Sequence, residues 1–552
     1  MFEEIRALTE RLVAVPSVNG TAGERAVADE IEAYLRAIPY FKAHPERVMT
    51  QPLKDDPLGR RSVLALLKGG DEKQTDTILL HGHIDTVDVD DYGKLRQYAF
   101  DCAALAERLA DADLPEDARR DLASGDYLFG RGACDMKGGD AVFLVLAKHL
   151  SAHPERLRGN LLLSFNPVEE TLHQGIIETL PLLERLRVEE GLTYRLAINN
   201  DFICPMYAGD TTRYVYTGAV GKLLPMFYIV GRETHVAQCF EGFSPDLVAA
   251  ELTHIIDRNP DFCDGYNGEY TLPPTVLKMQ DLKPCYNVQT PRTACVYFNY
   301  FVHNRQLTDI LAMLKNAAAR ALDNVLHDAD ARYRRYCEVA GLKYASLLEP
   351  VRVLSYRELY ERARRVYGGG LDEHIDRLTD ESMRAGDDMR MTSLHIVQSL
   401  CDLCGVKTPT VVVFFATPFC PHNTLKKEAP DEARVYGEIA RIAAEFAAES
   451  GETVKLQQFF PSLTDSSYLK IDDDADSVAA LQQNFPGYQK LYPVPLETAK
   501  ALNIPAVNYG VWGKDCHKWT ERIYMPYSFG KLPEFILKTI EFYLGGNETC
   551  QP

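Results

Sequence analysis

Hydrophobic and polar residues follow two alternating periodicities over the first 212 residues. Apolar positions recur at helical spacing in three segments, at 2–14, 22–37 and 141–150. Short, almost wholly apolar runs of the kind found in buried strands lie at 62–67, 77–80, 161–165 and 195–198. Short buried strands that alternate with helices are typical of a sheet that helices cover on both faces. We therefore predict an α/β fold with a mixed, mostly parallel sheet between helices.

The pattern changes near residue 213. A long β-like run ends at Gly231, and helix-like and strand-like segments then follow in the order β-α-β-β-α, which is typical of a small α+β module. The α/β pattern returns near residue 343, and we assign the buried, strand-like runs at 410–416 and 506–512 to the first sheet. The predicted domains are a discontinuous main domain, 1–212 with 343–552, and an inserted α+β lid, 213–342.

Length, composition and charge restrict the class of protein. A chain of 552 residues exceeds the size at which single cores stop growing, so two or more domains are expected. Its 46% hydrophobic and 25% charged residues are typical of a soluble globular protein. The formal net charge of −19 argues against nucleic-acid binding and against anionic membranes, because an acidic surface is repelled by both. The sequence also lacks the run of about 18 apolar residues that a transmembrane helix needs.

The N-terminal segment and the cysteines indicate the compartment. The first residues form an amphipathic, charged helix pattern and lack the apolar centre of a signal peptide. The 13 cysteines are odd in number and follow no framework spacing. This usage suits a reducing cytoplasm better than secretion, so we expect a cytoplasmic protein.

Ligand-type side chains follow several of the predicted strands. The stretch LLHGHIDTV places His83 and Asp85 where the apolar run at 77–80 ends. Similar side chains follow other strand-like or turn segments: Asp135, Glu169, Glu170, Asp201 and His517. Each alone has an ordinary structural explanation, such as a turn aspartate, a solvated glutamate pair or a hydrogen-bonded core histidine. Because sites form at the carboxyl ends of strands in open α/β sheets, their coincidence favours one shared site.

The residue types in this set suit a divalent metal. Imidazoles and carboxylates together are ligands for zinc or a similar ion, and this set could hold two ions if one carboxylate bridges them. Asp85 could accept the second imidazole N–H of His83, which would fix the tautomer of that ring. Of Glu169 and Glu170, one would bind metal and the other would handle a proton. His81 competes with His83 as a ligand, and we prefer His83 because Asp85 supplies its orienting partner.

Four sequence blocks resemble a known group of enzymes. They are HGHIDTV, GRGACDMKGG, PVEE and the late block that contains His517. They resemble the dizinc metallopeptidases of peptidase clan MH, the group of aminoacylases, carboxypeptidases and succinyl-diaminopimelate desuccinylase. The resemblance covers nearly the whole chain and is most specific in GRGACDMKGG. Two stretches, YGVWGKDCHKWTERIY and TVVVFFATPFCPHN, resemble the RocB-type arginine-utilisation proteins within this group.

The resemblance implies a role for each residue of the set. It implies two ligands on each ion and one bridge: His83 with Asp201, Glu170 with His517, and the bridging Asp135. Asp85 would orient His83, and Glu169 would be the general base. In the inserted lid, His235 would help to stabilise the oxyanion from the partner subunit of a dimer, and Asn287 would bind substrate. The group often has a cis peptide bond after the bridging aspartate, which here is Asp135–Met136.

One part of the lid departs from the pattern of the group. Where the group has an Asp-x-Arg whose arginine grips a substrate carboxylate, this chain has Asn299 and Phe301. Arg292 lies nearby but out of register. We therefore do not expect a bidentate carboxylate clamp at this position. The segment 343–470 also makes the chain longer than simple members of the group.

The resemblance implies a hydrolase of amide bonds. A water between two divalent metal ions would attack a peptide or an N-acyl amino acid, related to arginine or ornithine, with Glu169 as the general base. Zinc is the expected metal, with cobalt or manganese as alternatives. Two other functions stay open: a non-catalytic protein that uses the same metal site for binding, and an aminopeptidase of the same clan.

The resemblance also implies an assembly. The expected partner is a second copy of the chain, paired through the lids, and neither nucleic acid nor membrane is an expected partner. A monomer is the alternative, because the extra segment 343–470 could block the pairing of the lids.

Overall fold

The chain forms two compact units in the computed structural model, which describes residues 1–70 and 73–545. The first unit comprises Met1–Ala219, Asn423–Ile471 and Pro495–Pro552. The second unit comprises Val220–His422 and Asp472–Val494. Each unit is thus built from segments that are separated in the sequence.

The strands and helices are numbered in chain order. Strands β1 to β20 lie at Val48–Pro52, Arg61–Leu67, Asp76–His83, Tyr127–Phe129, Asn160–Asn166, Thr193–Asn199, Arg213–Tyr216, Gly218–Ala219, Gly221–Val230, Gly265–Tyr266, Glu269–Tyr270, Thr275–Asp281, Thr293–Val302, Arg352–Ser355, Thr410–Cys420, Asn423–Thr424, Val454–Gln457, Ala506–Asn508, Gly513–Lys514 and Arg522–Tyr524. Helices α1 to α17 lie at Phe2–Val13, Gly23–Ala37, Pro39–Ala43, Cys102–Leu109, Glu116–Ser124, Gly138–Ser151, Gln174–Glu189, Pro245–Ile256, Leu307–Ala340, Tyr356–Tyr367, Leu371–Ala385, Met389–Leu403, Pro430–Ser450, Ala475–Gln483, Tyr488–Leu491, Leu496–Leu502 and Leu532–Leu544. Within the described residues, no helix combines the length and the apolar composition that crossing a membrane requires.

The first unit contains an eight-stranded sheet in the spatial order β1-β2-β5-β3-β6-β18-β7-β17. The neighbours β5, β3, β6 and β18 run parallel to one another, and β7 runs parallel to β17. The other pairs, β1 with β2, β2 with β5 and β18 with β7, are antiparallel. The central sheet is therefore mixed and mainly parallel, as the sequence predicted.

Apolar side chains on the sheet and its helices form the core of this unit. The strands β2, β3 and β5 are buried along almost their whole length, as expected of strands covered on both faces. One core cluster joins Val63, Ile78 and Leu161 of these strands to residues of α1, α2, α6 and α17. The helix α7 packs against β2 and α16. The predicted fold class, with helices around the sheet, is confirmed.

Three parallel strands end together at one edge of the sheet. β3 ends at His83, which lies opposite Asn166 at the end of β5, and β6 ends at Asn199, which lies opposite His81. Parallel strands present their carboxyl ends at the same edge of a sheet, so the residues just beyond these strands meet there. Most of the ligand-type residues found in the sequence follow these strand ends.

The second unit contains a five-stranded sheet in the spatial order β12-β13-β9-β15-β14. β9 is antiparallel to both β13 and β15, and β14 is parallel to β15. Its apolar core joins Met226 and Phe414 of the sheet to Leu359 of α10 and Leu400 of α12. The chain order β9, α8, β12, β13, α9 is the β-α-β-β-α order that the sequence predicted.

Two strands lie outside the sheets in which the sequence placed them. The run 410–416 was predicted in the first sheet, but β15 pairs with β9 and β14 in the second unit. β7, at the start of the predicted lid, pairs with β17 and β18 in the first sheet. An apolar strand is buried in either sheet, so its pattern does not identify its neighbours. The chain passes from one unit to the other after Ala219, His422, Ile471 and Val494.

We expect Phe414→Ala in β15 and Leu163→Ala in β5 to destabilise different sheets. Both side chains are fully buried, and each truncation should cost about 2–5 kcal/mol. Phe414→Ala should speed amide exchange in β9, β13 and β15 more than in β3, because hydrogen-bonded neighbours open together. Leu163→Ala, the matched control, should speed amide exchange in β3 more than in β9, β13 and β15. Hydrogen–deuterium exchange with mass spectrometry measures both, and faster exchange of β3 than of β9 in Phe414→Ala would contradict this pairing of β15.

Candidate metal centre

Imidazole and carboxylate groups from several segments meet at this edge of the first sheet. Ligand atoms of His83, Asp135 and Asp201 lie within 4.8 Å of one another. The same is true of Asp135, Glu170 and His517. Asp135 belongs to both groups. The structure thus brings together all five residues that the sequence analysis named as metal ligands.

Asp135 lies between the two histidines. Its Oδ1 is 3.0 Å from Nε2 of His83, and its Oδ2 is 3.0 Å from Nε2 of His517. Burial favours the neutral acid, but hydrogen bonds to His517 and His83 outweigh it and lower the pKa of Asp135. A carboxylate with one imidazole at each oxygen has the arrangement that a bridging ligand requires.

Glu521 fixes the turn that carries Asp135. The backbone N–H groups of Cys134 and Asp135 donate to Oε1 of Glu521 at 3.1 and 3.3 Å. Arg131 donates to Oε2 of Glu521 at 2.7 Å, and both side chains are buried. The peptide bond Asp135–Met136 is cis, as the resemblance implied. Glu521 was not among the residues that the sequence singled out, although it lies in the same block as His517.

Asp85 contacts both His83 and the segment that follows β5. Nδ1 of His83 lies 3.2 Å from the backbone oxygen of Asp85 and 3.7 Å from its carboxylate. The nearer partner of the ring is therefore the backbone oxygen and not the carboxylate that the sequence suggested. The carboxylate instead accepts hydrogen bonds from the backbone N–H groups of Glu169 at 3.0 Å and Glu170 at 3.1 Å. Asn19 Nδ2 donates a further bond at 2.8 Å.

Glu170 faces His517. Oε1 of Glu170 lies 3.0 Å from Nε2 of His517. The imidazole is 49% exposed, whereas the Glu170 side chain is only 7% exposed, so His517 forms the solvent side of the cluster. Although burial opposes it, the hydrogen bonds to Asp135 and Glu170 raise the pKa of His517 to about 11.

Glu169 turns away from His517. Its Oε1 lies 3.7 Å from Nδ1 of His173, and its side chain is 7% exposed. In the described part of the chain, no group donates a hydrogen bond to its carboxylate. One carboxylate oxygen still lies within 4.8 Å of ligand atoms of His83 and Glu170. Burial raises the pKa of Glu169 well above its usual range.

His173 and Asp465 extend the cluster and were absent from the residues that the sequence singled out. Nδ1 of His173 lies 3.0 Å from Oδ1 of Asp465, and both side chains are buried. Ligand atoms of Glu169, His173 and Asp465 lie within 4.8 Å of one another. His173 follows the block PVEE closely, but Asp465 lies 292 residues further along the chain than His173. Only the fold could show that these two side chains meet.

The donor set fits divalent cations. Four of its side chains are buried carboxylates without a lysine or arginine partner in the described chain: Asp135, Glu169, Glu170 and Asp201. Burial, followed by the nearby charge of Asp135, raises the pKa of Asp201 to about 8. A bound cation stabilises buried carboxylates, and imidazoles with carboxylates are ligands for zinc. The residues present therefore fit two divalent ions that share Asp135.

His81 belongs to neither ligand group. Its Nε2 lies 3.1 Å from Oγ of Ser466, and the side chain is fully buried. Burial lowers the pKa of His81 to about 3, so the ring is neutral at physiological pH. The structure thus separates the two histidines of the HGH sequence: His83 faces the carboxylates, and His81 packs beside them.

The two lid residues named from the sequence lie in the second unit, on neighbouring loops. His235 forms a β-bridge with Gln289, and Asn287 accepts a hydrogen bond from the backbone N–H of Gln289 at 3.1 Å. Both His235 and Asn287 are exposed. In the same unit, Asn299 and Phe301 lie in β13, with Phe301 opposite Lys222 of β9. The paired loops bring His235 and Asn287 near each other, a placement that the sequence alone did not give.

Comparison with known proteins extends this picture. The model of peptidase family M20/M25/M40 matches residues 79–472. Protein RocB of Bacillus subtilis (strain 168) is 38% identical over 542 residues, which cover 97% of this chain and 94% of that protein. This similarity includes the segments that carry the cluster and most of both units.

Two solved structures are similar to this fold. A tripeptidase from Staphylococcus aureus matches with a TM-score of 0.52 at 12% identity, over 98% of both chains. The YXEP protein of Bacillus subtilis, a dinuclear metal-binding peptidase of the M20 family, matches with a TM-score of 0.50 at 11% identity, over 98% of this chain and 97% of that one. At these identities the two structures show a shared fold alone.

The family match covers more than half of the chain, and the similarity to RocB covers nearly all of it. Both agree with a mainly parallel α/β sheet whose edge gathers imidazoles and carboxylates. This chain therefore belongs to peptidase family M20/M25/M40, a family of metallopeptidases, and is a hydrolase of amide bonds.

Proposed function

We propose that this protein hydrolyses the amide bond of a peptide or an N-acyl amino acid, with two divalent metal ions and Glu169 as the general base. One observation carries the proposal: the two adjacent glutamates face different partners. The carboxylate of Glu170 contacts His517 within the cluster. The carboxylate of Glu169 accepts no hydrogen bond from the described chain, although it lies within 4.8 Å of ligand atoms of the cluster. Glu169 therefore has a lone pair free to take a proton.

The ligand-type side chains divide between two ions in this proposal. His83 and Asp201 would hold one ion, Glu170 and His517 would hold the other, and Asp135 would contact both. The two contacts of Asp135, one per oxygen and each 3.0 Å long, support its place as the bridge. Zinc suits this donor set, with cobalt and manganese as alternatives. When bound, such ions lower the pKa of a water molecule and polarise a substrate carbonyl.

Glu169 moves the proton in the proposed reaction. It accepts a proton from the attacking water and returns it to the amine that leaves. Burial raises the pKa of Glu169, which makes the carboxylate a stronger base. Asp85 holds the backbone of Glu169 and Glu170 through two hydrogen bonds, so the base keeps its position beside the ligands.

The second unit supplies substrate contacts in this proposal. His235, whose imidazole is exposed, donates a hydrogen bond to the oxyanion from the partner subunit of a homodimer paired through the lids. Asn287, on the neighbouring loop, binds substrate. Phe301 replaces the arginine of the Asp-x-Arg pattern, so no guanidinium grips a substrate carboxylate at that position.

The substrate class can be tested directly. Purified protein loaded with zinc or cobalt is screened against N-acyl amino acids and dipeptides, including derivatives of arginine and ornithine, and release of the free amine is measured. An N-acyl amino acid hydrolase cleaves blocked substrates. An aminopeptidase cleaves only substrates with a free α-amine, and a non-catalytic binding protein shifts in melting temperature with ligands but releases no amine.

We expect about two divalent ions per chain after reconstitution, because Asp135 joins two ligand groups. Asp135→Ala should lose both ions, since each needs the bridge, whereas His517→Ala should mainly weaken one. Elemental analysis after desalting measures the ion content. His149→Ala, which removes an exposed imidazole outside the cluster, is the control and should keep both ions. Two tightly bound ions in Asp135→Ala would contradict the bridging role.

We expect Glu169→Gln and Glu170→Gln to lose activity for different reasons. Glu169→Gln keeps the shape of the side chain but removes the base, so ion content should persist while kcat falls by about 100- to 10,000-fold. Glu170→Gln should first lower ion content, and excess metal should restore part of its rate. Ion content and rate, measured for both variants on the same substrate, separate the two roles. A near wild-type rate in Glu169→Gln would show that the proposed mechanism is wrong.

We expect Asp85→Asn to lower kcat by about 10- to 100-fold, with a smaller effect on KM. The N–H groups of Glu169 and Glu170 bind different oxygens of Asp85, and asparagine replaces one of these oxygens with an NH2 group that cannot accept, so one of the two bonds is lost. The glutamate pair should therefore lose its fixed position. Asp90→Asn makes the same chemical change at an exposed site nearby and should leave the rate unchanged. Equal rates in the two variants would exclude a positioning role for Asp85.

A further inference from the structure

We propose that Glu169, His173 and Asp465 form a third divalent-metal site, through which excess metal inhibits the enzyme. The inhibitory effect rests on the proposed function, because an ion at this site would bind the carboxylate that serves as the general base. The existence of the site does not depend on that role. It can be tested by counting bound ions, without any measurement of activity.

The three side chains have the spacing of metal ligands. Nδ1 of His173 lies 3.0 Å from Oδ1 of Asp465 and 3.7 Å from Oε1 of Glu169. One ligand atom of each residue lies within 4.8 Å of the other two. Ligands about 2.0–2.2 Å from one zinc ion are separated from each other by roughly 3–3.5 Å. Small adjustments would therefore let all three bind one ion.

The two carboxylates of this group are buried, and the imidazole of His173 contacts both of them. The side chains of Glu169 and Asp465 are 7% and 3% exposed. No lysine or arginine of the described chain pairs with either one, and the carboxylate of Glu169 accepts no hydrogen bond there. A buried charge is stable only when it is paired, so two carboxylates around one imidazole favour a bound cation.

The backbone and the neighbouring side chains hold these ligands in place. The N–H of His173 donates to the carbonyl oxygen of Val168 at 2.7 Å, which fixes the turn before α7. Asp465 begins a short 3-10 helix, and Asn166 at the end of β5 donates to its Oδ2 at 3.4 Å. The ring of His173 packs against that of Tyr468, with 5.4 Å between their centroids. The site is therefore assembled before an ion arrives.

One imidazole and two carboxylates suit zinc or manganese. An ion at this site would occupy the lone pair with which Glu169 accepts a proton, so turnover would stop while the ion stays bound. Nδ1 of His173 already contacts Asp465, and an ion must replace this contact, so the site should fill only when metal exceeds the amount that the two ligand groups of Asp135 require. Excess metal would thus act as an inhibitor.

The zinc content of the protein tests the site. Full-length protein is stripped with a chelator, titrated with zinc chloride by calorimetry, and analysed for zinc at saturation. We expect the wild type to bind one more ion than Asp465→Asn or His173→Gln. Asp465→Asn keeps an oxygen that can accept from His173, and His173→Gln removes the imidazole independently. Equal zinc content in the wild type and both variants would overturn the proposal.

Inhibition by excess zinc is the second readout. Saturating zinc should lower the wild-type rate by about 100-fold or more, the loss typical of removing a general base. In Asp465→Asn and His173→Gln, saturating zinc should instead leave the rate equal to the rate that each variant shows with two equivalents of zinc. His153→Gln removes an exposed imidazole elsewhere in the first unit and should be inhibited like the wild type. The same inhibition in all of these proteins would overturn the proposal.

The experiments distinguish a failure of the proposed function from a failure of the third site. If Glu169→Gln kept the wild-type rate, Glu169 would not be the general base. The additional zinc ion of the wild type would still be counted, and it would still be lost in Asp465→Asn. The number of bound zinc ions therefore tests the third site, and the rate of Glu169→Gln tests the proposed mechanism.

Discussion

The repulsion among buried carboxylates at one edge of the first sheet is the constraint on which the rest of this structure depends. Two like charges about 4 Å apart repel by about 4 kcal/mol in a protein-like environment. Hydrogen bonds offset this repulsion at several positions: Asp85 accepts three N–H groups, Asp135 contacts two imidazoles, and Glu521 is paired with Arg131. Glu169 accepts no hydrogen bond from the described chain, and Asp201 accepts one from the backbone N–H of Phe202. Both keep raised pKa values, so a bound cation would have its largest effect at these two carboxylates.

Asp85 shows how one side chain can serve both the fold and the site. Its carboxylate binds the backbone of two consecutive glutamates, and its backbone oxygen contacts the ring of His83. The end of β3 and the segment after β5 are thereby joined at one point. Glu169 and Glu170 lie in the turn that follows Val168, and their side chains diverge there: Glu170 reaches His517 and Glu169 reaches His173. The different surroundings of the two glutamates follow from this turn.

The long segment 343–470 contributes to both units. It supplies β14, β15 and the helices α10 to α12 to the second unit, where they enlarge the core around Leu359 and Leu400. It also supplies α13, β17 and Asp465 to the first unit. Asp465 thus reaches the carboxylate cluster from a segment that lies 292 residues beyond His173 in the chain.

The sequence by itself determined the α/β class, the main strands of the first sheet and the cluster of His83, Asp135, Glu170, Asp201 and His517. These features could be predicted because apolar periodicity is local and because most of the ligand-type residues lie within a few residues of a strand end. Only the tertiary structure decided that β15 pairs with β9, that the backbone oxygen of Asp85 is the nearer partner of His83, and that Asp465 meets His173. Strand pairing and contacts between distant residues depend on how separate segments pack, and no local pattern of residues records that packing.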